Sequence, residues 1–449
     1  MEIIIQQAIL AHQEGKFEEA EKIYQKILET QPTNLMVINN LGIALQELGK
    51  FDEAEASYRK GIELKPDYDS AHYNLGDLLR ELSRFDEAET SYRKAIELKP
   101  DYIEAHNNLG DSLYALGKMK EANISFIKAI ELKPDYAEAH ANLASSLYAL
   151  GKFEEAAGSY KKAFELKPDF TDARYEFAIT QHTLKQYKKA ADVFKLMNYK
   201  SSQSYLLKCW FDLNDKPNFI NQLDKMLDQG TISPVVGSFV SRSKARYGFN
   251  KQNPFCNEPL NYVIKTDLTK LCDFKKIFIE TSKNILNDDA TFNRTQSLLI
   301  NGTQTSGNLF SQKNDLVEKM KDIIHLEIEN YRSYFKDSEE GFLKNWPKSY
   351  ILNGWLVNMK NGGKLSPHMH ERGWLSGSIY INIPPKKTVD SGNLVVCIDD
   401  KENDKNPKKS IDVATGSFCL FPASLLHYTI PFEADEERIV LAFDVMPND

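Results

Sequence analysis

The N-terminal part of the chain carries a hydrophobic and polar pattern that repeats every 34 residues. Each period has helix–turn–helix patterning, with a proline near its end and an alanine at a fixed place. The prolines are Pro32, Pro66, Pro100, Pro134 and Pro168, and the alanines are Ala20, Ala54, Ala88, Ala122, Ala156 and Ala190. Because proline cannot continue a helix interior, each period predicts a pair of helices.

Two sequence blocks carry a family resemblance: residues 105–110 (AHNNLG) and residues 132–136 (LKPDY). With the 34-residue spacing, they make residues 2–204 resemble a tetratricopeptide repeat array. Stacked helix pairs of this kind bury a continuous core and form a superhelix with a concave surface, and small residues such as Gly76 let paired helices approach closely. We predict a superhelix over residues 1–230, with about six repeats and a degenerate cap after residue 204.

An asparagine recurs at the same period on the first helix of four repeats: Asn40, Asn74, Asn108 and Asn142. An amide offers both donors and an acceptor, so it can pair with any peptide unit. In similar arrays, such as that of the O-linked N-acetylglucosamine transferase, a ladder of asparagines binds the backbone of an extended peptide. Two interpretations stay open: a peptide-binding ladder, or an asparagine that is simply common at this consensus position.

The middle of the chain loses the repeat near Gly230, and residues 231–262 are predicted to be a connector. Beyond it, residues 270–286 and 313–334 have apolar residues at three- and four-residue intervals and predict helices. Between these helices, residues 301–307 (NGTQTSG) predict a turn-rich loop. His325 lies in the second helix, and we expect a packed or exposed helix residue rather than a ligand.

The C-terminal part reads as short apolar strands separated by glycine and proline. The predicted strands are residues 350–359, 368–370, 378–383, 394–398, 417–421, 428–430 and 439–445. Many short strands at this spacing predict a sandwich or jelly roll. The charged run over residues 399–409 is predicted to be a solvated hairpin loop. The predicted fold class is therefore α + β and multidomain, with an all-α array followed by a jelly roll with flanking helices.

The candidate chemistry lies on these strands. His368 and His370 stand at i and i+2 on a predicted strand, so their side chains point to one face. His427 on a distant strand can complete a facial set on a metal and leave positions open for a co-substrate and oxygen. Arg438 follows eleven residues later, and its planar fork suits a carboxylate.

These residues belong to a longer series of features that resembles the 2-oxoglutarate/Fe(II)-dependent oxygenases, and more closely a bacterial and phage group found behind tetratricopeptide arrays. The series is Trp355, His368-x-His370, Ser376-Gly377-x-x-Tyr380, Gly392, Gly416, Phe421-Pro422, His427, Pro431, Arg438 and Phe443. The resemblance covers residues 263–449. It implies a double-stranded β-helix, Fe(II) and 2-oxoglutarate as cofactors, and ascorbate as an accessory reductant.

The same resemblance implies roles for the site residues. His368 and His427 would bind iron, and Arg438 would bind the far carboxylate of 2-oxoglutarate with help from the Tyr380 hydroxyl. The family usually has aspartate or glutamate two residues after the first histidine, whereas this chain has His370. Three third ligands stay open: His370, which strand geometry favours; Glu371, which alternation points to the opposite face; or water.

Composition narrows the function classes. A net charge of −8 and a pI near 5.7 argue against a general nucleic-acid binder. No apolar run approaches the length of a membrane helix, and the N-terminus lacks the features of a secretory signal. Five widely spaced cysteines predict reduced thiols. We therefore expect a cytoplasmic protein.

Three functional hypotheses follow. The first is an Fe(II)/2-oxoglutarate-dependent hydroxylase that acts on a protein or peptide recruited by the array. The second is a three-histidine dioxygenase that does not use 2-oxoglutarate and so does not need Arg438 for a far carboxylate. The third is a scaffold with an inactive jelly roll. The array could also bind a partner or another copy of the chain.

Overall fold

A computed structural model describes residues 2–199, 201–288, 293–294, 298–312, 314–400 and 406–448. The chain forms two compact units, Met1–Leu213 and Asn214–Asp449. No helix among the described residues is long and apolar enough to cross a membrane.

The first unit is a series of helices that pair along the chain. They are α1 (Glu2–Gln13), α2 (Phe17–Thr30), α3 (Leu35–Glu47), α4 (Phe51–Leu64), α5 (Asp69–Glu81), α6 (Phe85–Leu98), α7 (Ile103–Ala115), α8 (Met119–Leu132), α9 (Ala137–Ala149), α10 (Phe153–Leu166), α11 (Thr171–Thr183), α12 (Tyr187–Phe194) and α13 (Ser202–Asp212). The period of the sequence is thus the period of the helix pairs, which confirms the predicted all-α array.

Close packing inside one helix pair depends on glycine. A Cβ on Gly76 would lie 2.9 Å from the ring of Tyr92, so a larger residue would force the two helices apart. Between the helices of a pair the backbone turns through a left-handed residue, which is glycine in most repeats. Ser83 takes this place in one repeat with φ of 60°. The predicted close approach at Gly76 is therefore confirmed.

The second unit begins earlier than the sequence-based boundary at residue 230. It starts with α14 (Lys216–Asp228) and α15 (Pro234–Tyr247), so a helix occupies residues 234–247 of the segment predicted to be a connector. Ser233 caps α15 by accepting from the Val236 amide, and Pro234 stands at its first turn. Serine and proline therefore start a helix here.

Within the described part of the second unit, three further helices accompany the sheet: α16 (Thr281–Asn287), α17 (Asp315–Tyr334) and α18 (Gly341–Lys344). A π-helical turn, Lys275–Glu280, precedes α16. The predicted helices over 270–286 and 313–334 correspond to these elements, although residue 313 lies outside the described residues. The Nδ1 atom of His325 on α17 lies 3.0 Å from the Tyr350 hydroxyl, as befits a packed helix residue.

The strands are β1 (Ile264–Asp267), β2 (Asn293–Arg294), β3 (Leu299–Thr305), β4 (Tyr350–His368), β5 (Leu375–Asn382), β6 (Leu394–Cys397), β7 (Lys408–Ile411), β8 (Ser417–Pro422), β9 (Leu426–Thr429) and β10 (Arg438–Pro447). Hydrogen-bonded neighbours follow the order β1-β8-β5-β10-β4-β9-β6-β7, with β3 also paired to β4 and β2 to β3. The curled antiparallel sheet is that of a jelly roll, and the predicted fold class is confirmed.

Alternation along β10 divides the unit into a core and a cavity. Ile439, Leu441, Phe443 and Val445 pack in one apolar core with α17. Arg438, Val440 and Ala442 point to the opposite side and line a cavity. The central strand therefore joins the main core to the candidate site.

Two local predictions were wrong. Residues 301–305 form part of β3 rather than a loop, because Thr303 and Gln304 pair with β4 and extend its sheet. The segment 368–370 is not a strand, since β4 ends at His368 and His370 lies in the turn that follows. The predicted hairpin loop 399–409 joins β6 to β7, but residues 401–405 lie outside the described residues.

Candidate metal centre

Three histidines meet at one end of the cavity. His368 ends β4 and His427 lies on the neighbouring strand β9, where the two are direct cross-strand partners. His370 reaches the same point from the turn after β4. One ring nitrogen from each of the three lies within 4.8 Å of the others, and the Nε2 atoms of His368 and His370 are 3.2 Å apart.

Hydrogen bonds at Nδ1 orient two of these rings. His368 Nδ1 lies 2.8 Å from the Ser366 carbonyl, to which it donates. His370 Nδ1 lies 2.7 Å from Asp444 Oδ1, and the Ser376 hydroxyl donates to the same oxygen at 2.8 Å. With the proton on Nδ1, each Nε2 keeps a lone pair for a metal. Asp444 thus orients His370 and adds a negative charge behind the three imidazoles.

His427 is buried, and its Nδ1 has no hydrogen-bond partner among the residues that the structure describes. Burial lowers the pKa of His427 well below its usual value, with His368 acting in the same direction. Burial also lowers the pKa of His368 to about 4, with His370 contributing. Neutral imidazoles with open nitrogens are the form that binds a divalent metal, so the three side chains fit one.

Arg438 lies in the same cavity and is only 1 % exposed. Neither Nε nor Nη2 has a hydrogen-bond partner within the described part of the chain. Its guanidinium carbon lies 5.2 Å from the centre of the Tyr380 ring and 5.9 Å from that of Phe432. Burial lowers the pKa of Arg438 to about 10, which still leaves it charged at neutral pH. A buried guanidinium without an anion is costly, so this group fits a carboxylate ligand.

Gly392 makes room beside the guanidinium. Its φ is 71°, and a Cβ there would lie 2.8 Å from Arg438 Nη1. A side chain at this position would be strained and would collide with the fork. Gly392 therefore forms one wall of the space around the Arg438 guanidinium.

The cavity has a volume of about 270 Å³ and joins the histidines to the arginine. Trp355 and Met359 on β4 line it, together with Ser378 and Tyr380 on β5. The Ser378 hydroxyl donates to the Tyr380 hydroxyl at 3.2 Å, and burial raises the pKa of Tyr380 above its usual range. Tyr380 is therefore a neutral phenol in contact with the arginine side chain.

The predicted residues His368, His370, His427, Arg438 and Tyr380 all line this cavity. Glu371 lies in the turn after β4 and does not join the histidine cluster found among the described residues. Asp444 and Ser376 were missed by sequence reasoning. A signal existed for Asp444, because it stands six residues after Arg438 on the same strand and therefore on the same face.

The recurrent asparagines of the first unit are half-buried, and three of them donate hydrogen bonds to side chains of the preceding repeat. Asn74 Nδ2 donates to Asn39 Oδ1 at 2.9 Å, and Asn142 Nδ2 donates to Asn107 Oδ1 at 3.1 Å. Asn108 Nδ2 lies 3.2 Å from the Tyr73 hydroxyl. Each of these three amides thus uses an N–H to connect consecutive repeats.

Comparison with known families agrees with both parts of the fold. Residues 353–444 match the family described as "Putative 2OG-Fe(II) oxygenase". Tetratricopeptide repeat models match residues 2–34, 23–56, 45–79, 76–117, 107–169 and 141–203. A search of curated proteins gives no significant match.

Solved structures similar to the chain include MamA from Desulfovibrio magneticus RS-1, with 20 % identity over 38 % of this chain and 96 % of that chain, and a TM-score of 0.36. YrrB, titled "a TPR protein with an unusual peptide-binding site", is 22 % identical over 43 % of this chain and 97 % of its own, with a TM-score of 0.36. PilF from Pseudomonas aeruginosa is 19 % identical over 46 % and 97 %, with a TM-score of 0.40. The chain therefore joins a tetratricopeptide repeat array to a domain that matches the putative 2OG-Fe(II) oxygenase family at residues 353–444.

Proposed function

We propose that the chain is an Fe(II)/2-oxoglutarate-dependent hydroxylase that modifies a protein or peptide recruited by its repeat array. The observation that carries the proposal is the buried Arg438 guanidinium, whose Nε and Nη2 lack partners among the described residues, in the same cavity as three convergent histidines. A metal would satisfy the histidine nitrogens, and a dicarboxylate would satisfy the open nitrogens of Arg438.

In this proposal His368, His370 and His427 hold Fe(II). With 2-oxoglutarate bound beside it, the iron supplies the oxygen chemistry that hydroxylates a C–H bond. Arg438 would donate hydrogen bonds from its guanidinium to the far carboxylate of 2-oxoglutarate, and the neutral Tyr380 hydroxyl would donate a further one. Arg438 and Tyr380 are buried, and this low exposure to water would strengthen each of their contacts.

His370 is proposed as the third ligand because its Nδ1 is held by Asp444 and its Nε2 points to His368. Asp444 compensates in part for the carboxylate that the family usually places in direct contact with the metal, since a charge one residue further out still favours the cation. Glu371 and water remain the competing assignments.

The proposed substrate is an extended peptide that lies along the array and contacts Asn40, Asn74, Asn108 and Asn142. Asn74 and Asn142 each donate one hydrogen bond to the preceding repeat, whereas Asn108 donates two there and its Oδ1 accepts one from a neighbouring amide. The remaining amide donors and carbonyl oxygens could pair with peptide units regardless of side chain. A broad peptide preference would follow from the ladder alone.

Succinate formation from 2-oxoglutarate tests the proposal without knowledge of the substrate, because slow uncoupled turnover often occurs in this class. We expect succinate from the purified full chain with Fe(II) and ascorbate, and none above background from His427→Ala or Arg438→Ala. His72→Ala, at a half-buried histidine of the array, serves as the matched control and should keep wild-type turnover.

The other outcomes separate the competing functions. Bound iron without succinate, unaffected by Arg438→Ala, would favour a three-histidine dioxygenase. A folded chain that binds no iron and forms no succinate would favour the scaffold.

A further inference from the structure

Two repeats of the array carry an aspartate at the same place in the period, and their surroundings differ. Asp77 Oδ1 accepts hydrogen bonds from Arg80 Nη2 at 2.9 Å, from the Tyr92 hydroxyl at 3.3 Å and from Asn108 Nδ2 at 3.2 Å. Asp111 lies 34 residues later on α7. Its carboxylate has no hydrogen bond or ion pair with any described residue.

Each donor that reaches Asp77 has a counterpart one repeat later that does not reach Asp111. The counterparts are Tyr114 for Arg80, Phe126 for Tyr92 and Asn142 for Asn108. Phe126 has no hydroxyl, and Asn142 donates to Asn107 instead. The two repeats thus share a backbone and an acid, but internal donors reach the acid in only one of them.

Asp111 lines a cleft with a volume of about 430 Å³ that spans three consecutive repeats. Phe85, Tyr114 and Phe126 form its aromatic wall. Arg80 also lines the cleft, but it is paired with Asp77, so these residues leave one carboxylate in excess. Burial raises the pKa of Asp111 to about 6 and Arg80 opposes the rise, so the carboxylate is ionised at neutral pH.

We propose that this cleft binds the cationic side chain of a lysine or arginine in the recruited peptide. The inference rests on the proposed recruitment of a peptide by the array and narrows that peptide to one with a basic residue. A half-buried carboxylate without a donor gains most from a charged donor, because such hydrogen bonds are about twice as strong as neutral ones. The aromatic wall suits the methylene stem of a lysine or arginine.

The decisive variant copies side chains that surround Asp77 to the equivalent positions around Asp111. Tyr114→Arg combined with Phe126→Tyr recreates around Asp111 two of the three side chains that donate to Asp77, and it keeps the carboxylate in place. Asp111→Asn removes the charge directly. Asp135→Asn removes a charge from an exposed position in the loop after α8 and is the matched control.

The experiment screens a positional library of fluorescein-labelled short peptides against the full chain, then measures the best binders by anisotropy. Each binder is paired with a peptide in which its basic residue is replaced by norleucine. In wild type and Asp135→Asn, we expect lysine or arginine to be enriched at one position and the norleucine swap to weaken binding about tenfold, as for one charge-assisted hydrogen bond. In Asp111→Asn and in the double variant the swap should change affinity less than about twofold.

Three results would contradict the inference, and they are distinguishable. Peptide binding without basic enrichment, or an equal norleucine effect in Asp111→Asn, overturns the basic anchor and leaves peptide recruitment standing. Failure of wild type to bind any peptide overturns recruitment and the anchor together. Succinate formation in the same preparation would show whether the oxygenase proposal survives on its own.

Discussion

The repeat array and the cavity of the sheet place polar side chains under opposite conditions. In the array, Asp77 and Asn108 are satisfied by side chains of their own or the adjacent repeat. In the cavity, Arg438 and His427 are buried yet keep atoms without partners among the described residues. Because buried polar groups are nearly always hydrogen-bonded, open ones indicate a ligand. The polar groups of a scaffold bond to other groups of the protein, whereas those of the candidate site keep atoms open for a ligand.

The largest effect is expected from His427→Ala. Loss of one of three nitrogens should weaken metal binding by more than about a hundredfold, since residues that merely support a ligand already contribute about 10–100-fold. Competition between the protein and a coloured chelator for Co(II) measures the affinity. His72→Ala should bind Co(II) as wild type does. An unchanged Co(II) affinity in His427→Ala would show that the metal does not bind at the three histidines.

Arg438→Met tests the contrast between unsatisfied and satisfied polar groups by its effect on the free energy of unfolding. It removes a buried charge and replaces it with an apolar chain of similar length, so we expect the ligand-free protein to gain about 1–4 kcal/mol. Urea unfolding monitored by circular dichroism gives the difference. The same substitution at a satisfied group, Arg80→Met in the array, should destabilise because it strips a donor from Asp77 and the Tyr92 hydroxyl. A stability loss in Arg438→Met would mean that the guanidinium has a partner in the protein.

Asp444→Ala tests the residue behind His370. Without the carboxylate the ring loses its fixed tautomer, and Co(II) affinity should fall about 10–100-fold. Asp444→Asn keeps an acceptor for the Nδ1 proton and should lose less. Ser376→Ala should lose least, because it removes a bond to Asp444 and a longer, 3.5 Å contact to His370 Nδ1 but leaves the carboxylate in place. Equal affinity in all three variants would make Asp444 a packing residue.

Gly76→Ala in the array is expected to have the smallest effect and none on the site. A Cβ at Gly76 would crowd the Tyr92 ring, so unfolding stability should fall by about 1–3 kcal/mol. Gly158 also lies inside a helix, but a Cβ there meets nothing within 4 Å, so Gly158→Ala should stabilise by about 0.5–1 kcal/mol. Thermal unfolding distinguishes them, and metal affinity should not change in either.

Much of the fold was predictable from the sequence because its signals are periodic. The 34-residue repeat predicted the helix pairs, and alternation predicted most of the C-terminal strands. Prediction was wrong where one signal had two meanings. The Asn301-Gly302 pair looked like a turn but continues β3, and the Ser-Pro pair at 233–234 looked like a connector but starts α15.

The candidate site was predictable in its members but not in its bonds. His368, His370, His427 and Arg438 were selected from their spacing, although His370 was expected on a strand and lies in a turn. Its contact with Asp444 could not be predicted, since it depends on how that turn folds back over β10. The open nitrogens of Arg438 are likewise a property of the packed cavity.

The most direct test of the central claim is calorimetric titration of 2-oxoglutarate into the full chain loaded with Mn(II), a redox-silent stand-in for Fe(II). The account predicts saturable binding to wild type, weakened at least about a hundredfold by Arg438→Ala, as expected when two charge-assisted hydrogen bonds are lost. It also predicts that binding disappears when Mn(II) is omitted. Equal binding of 2-oxoglutarate to wild type and Arg438→Ala, or no binding to the loaded wild type, would contradict it.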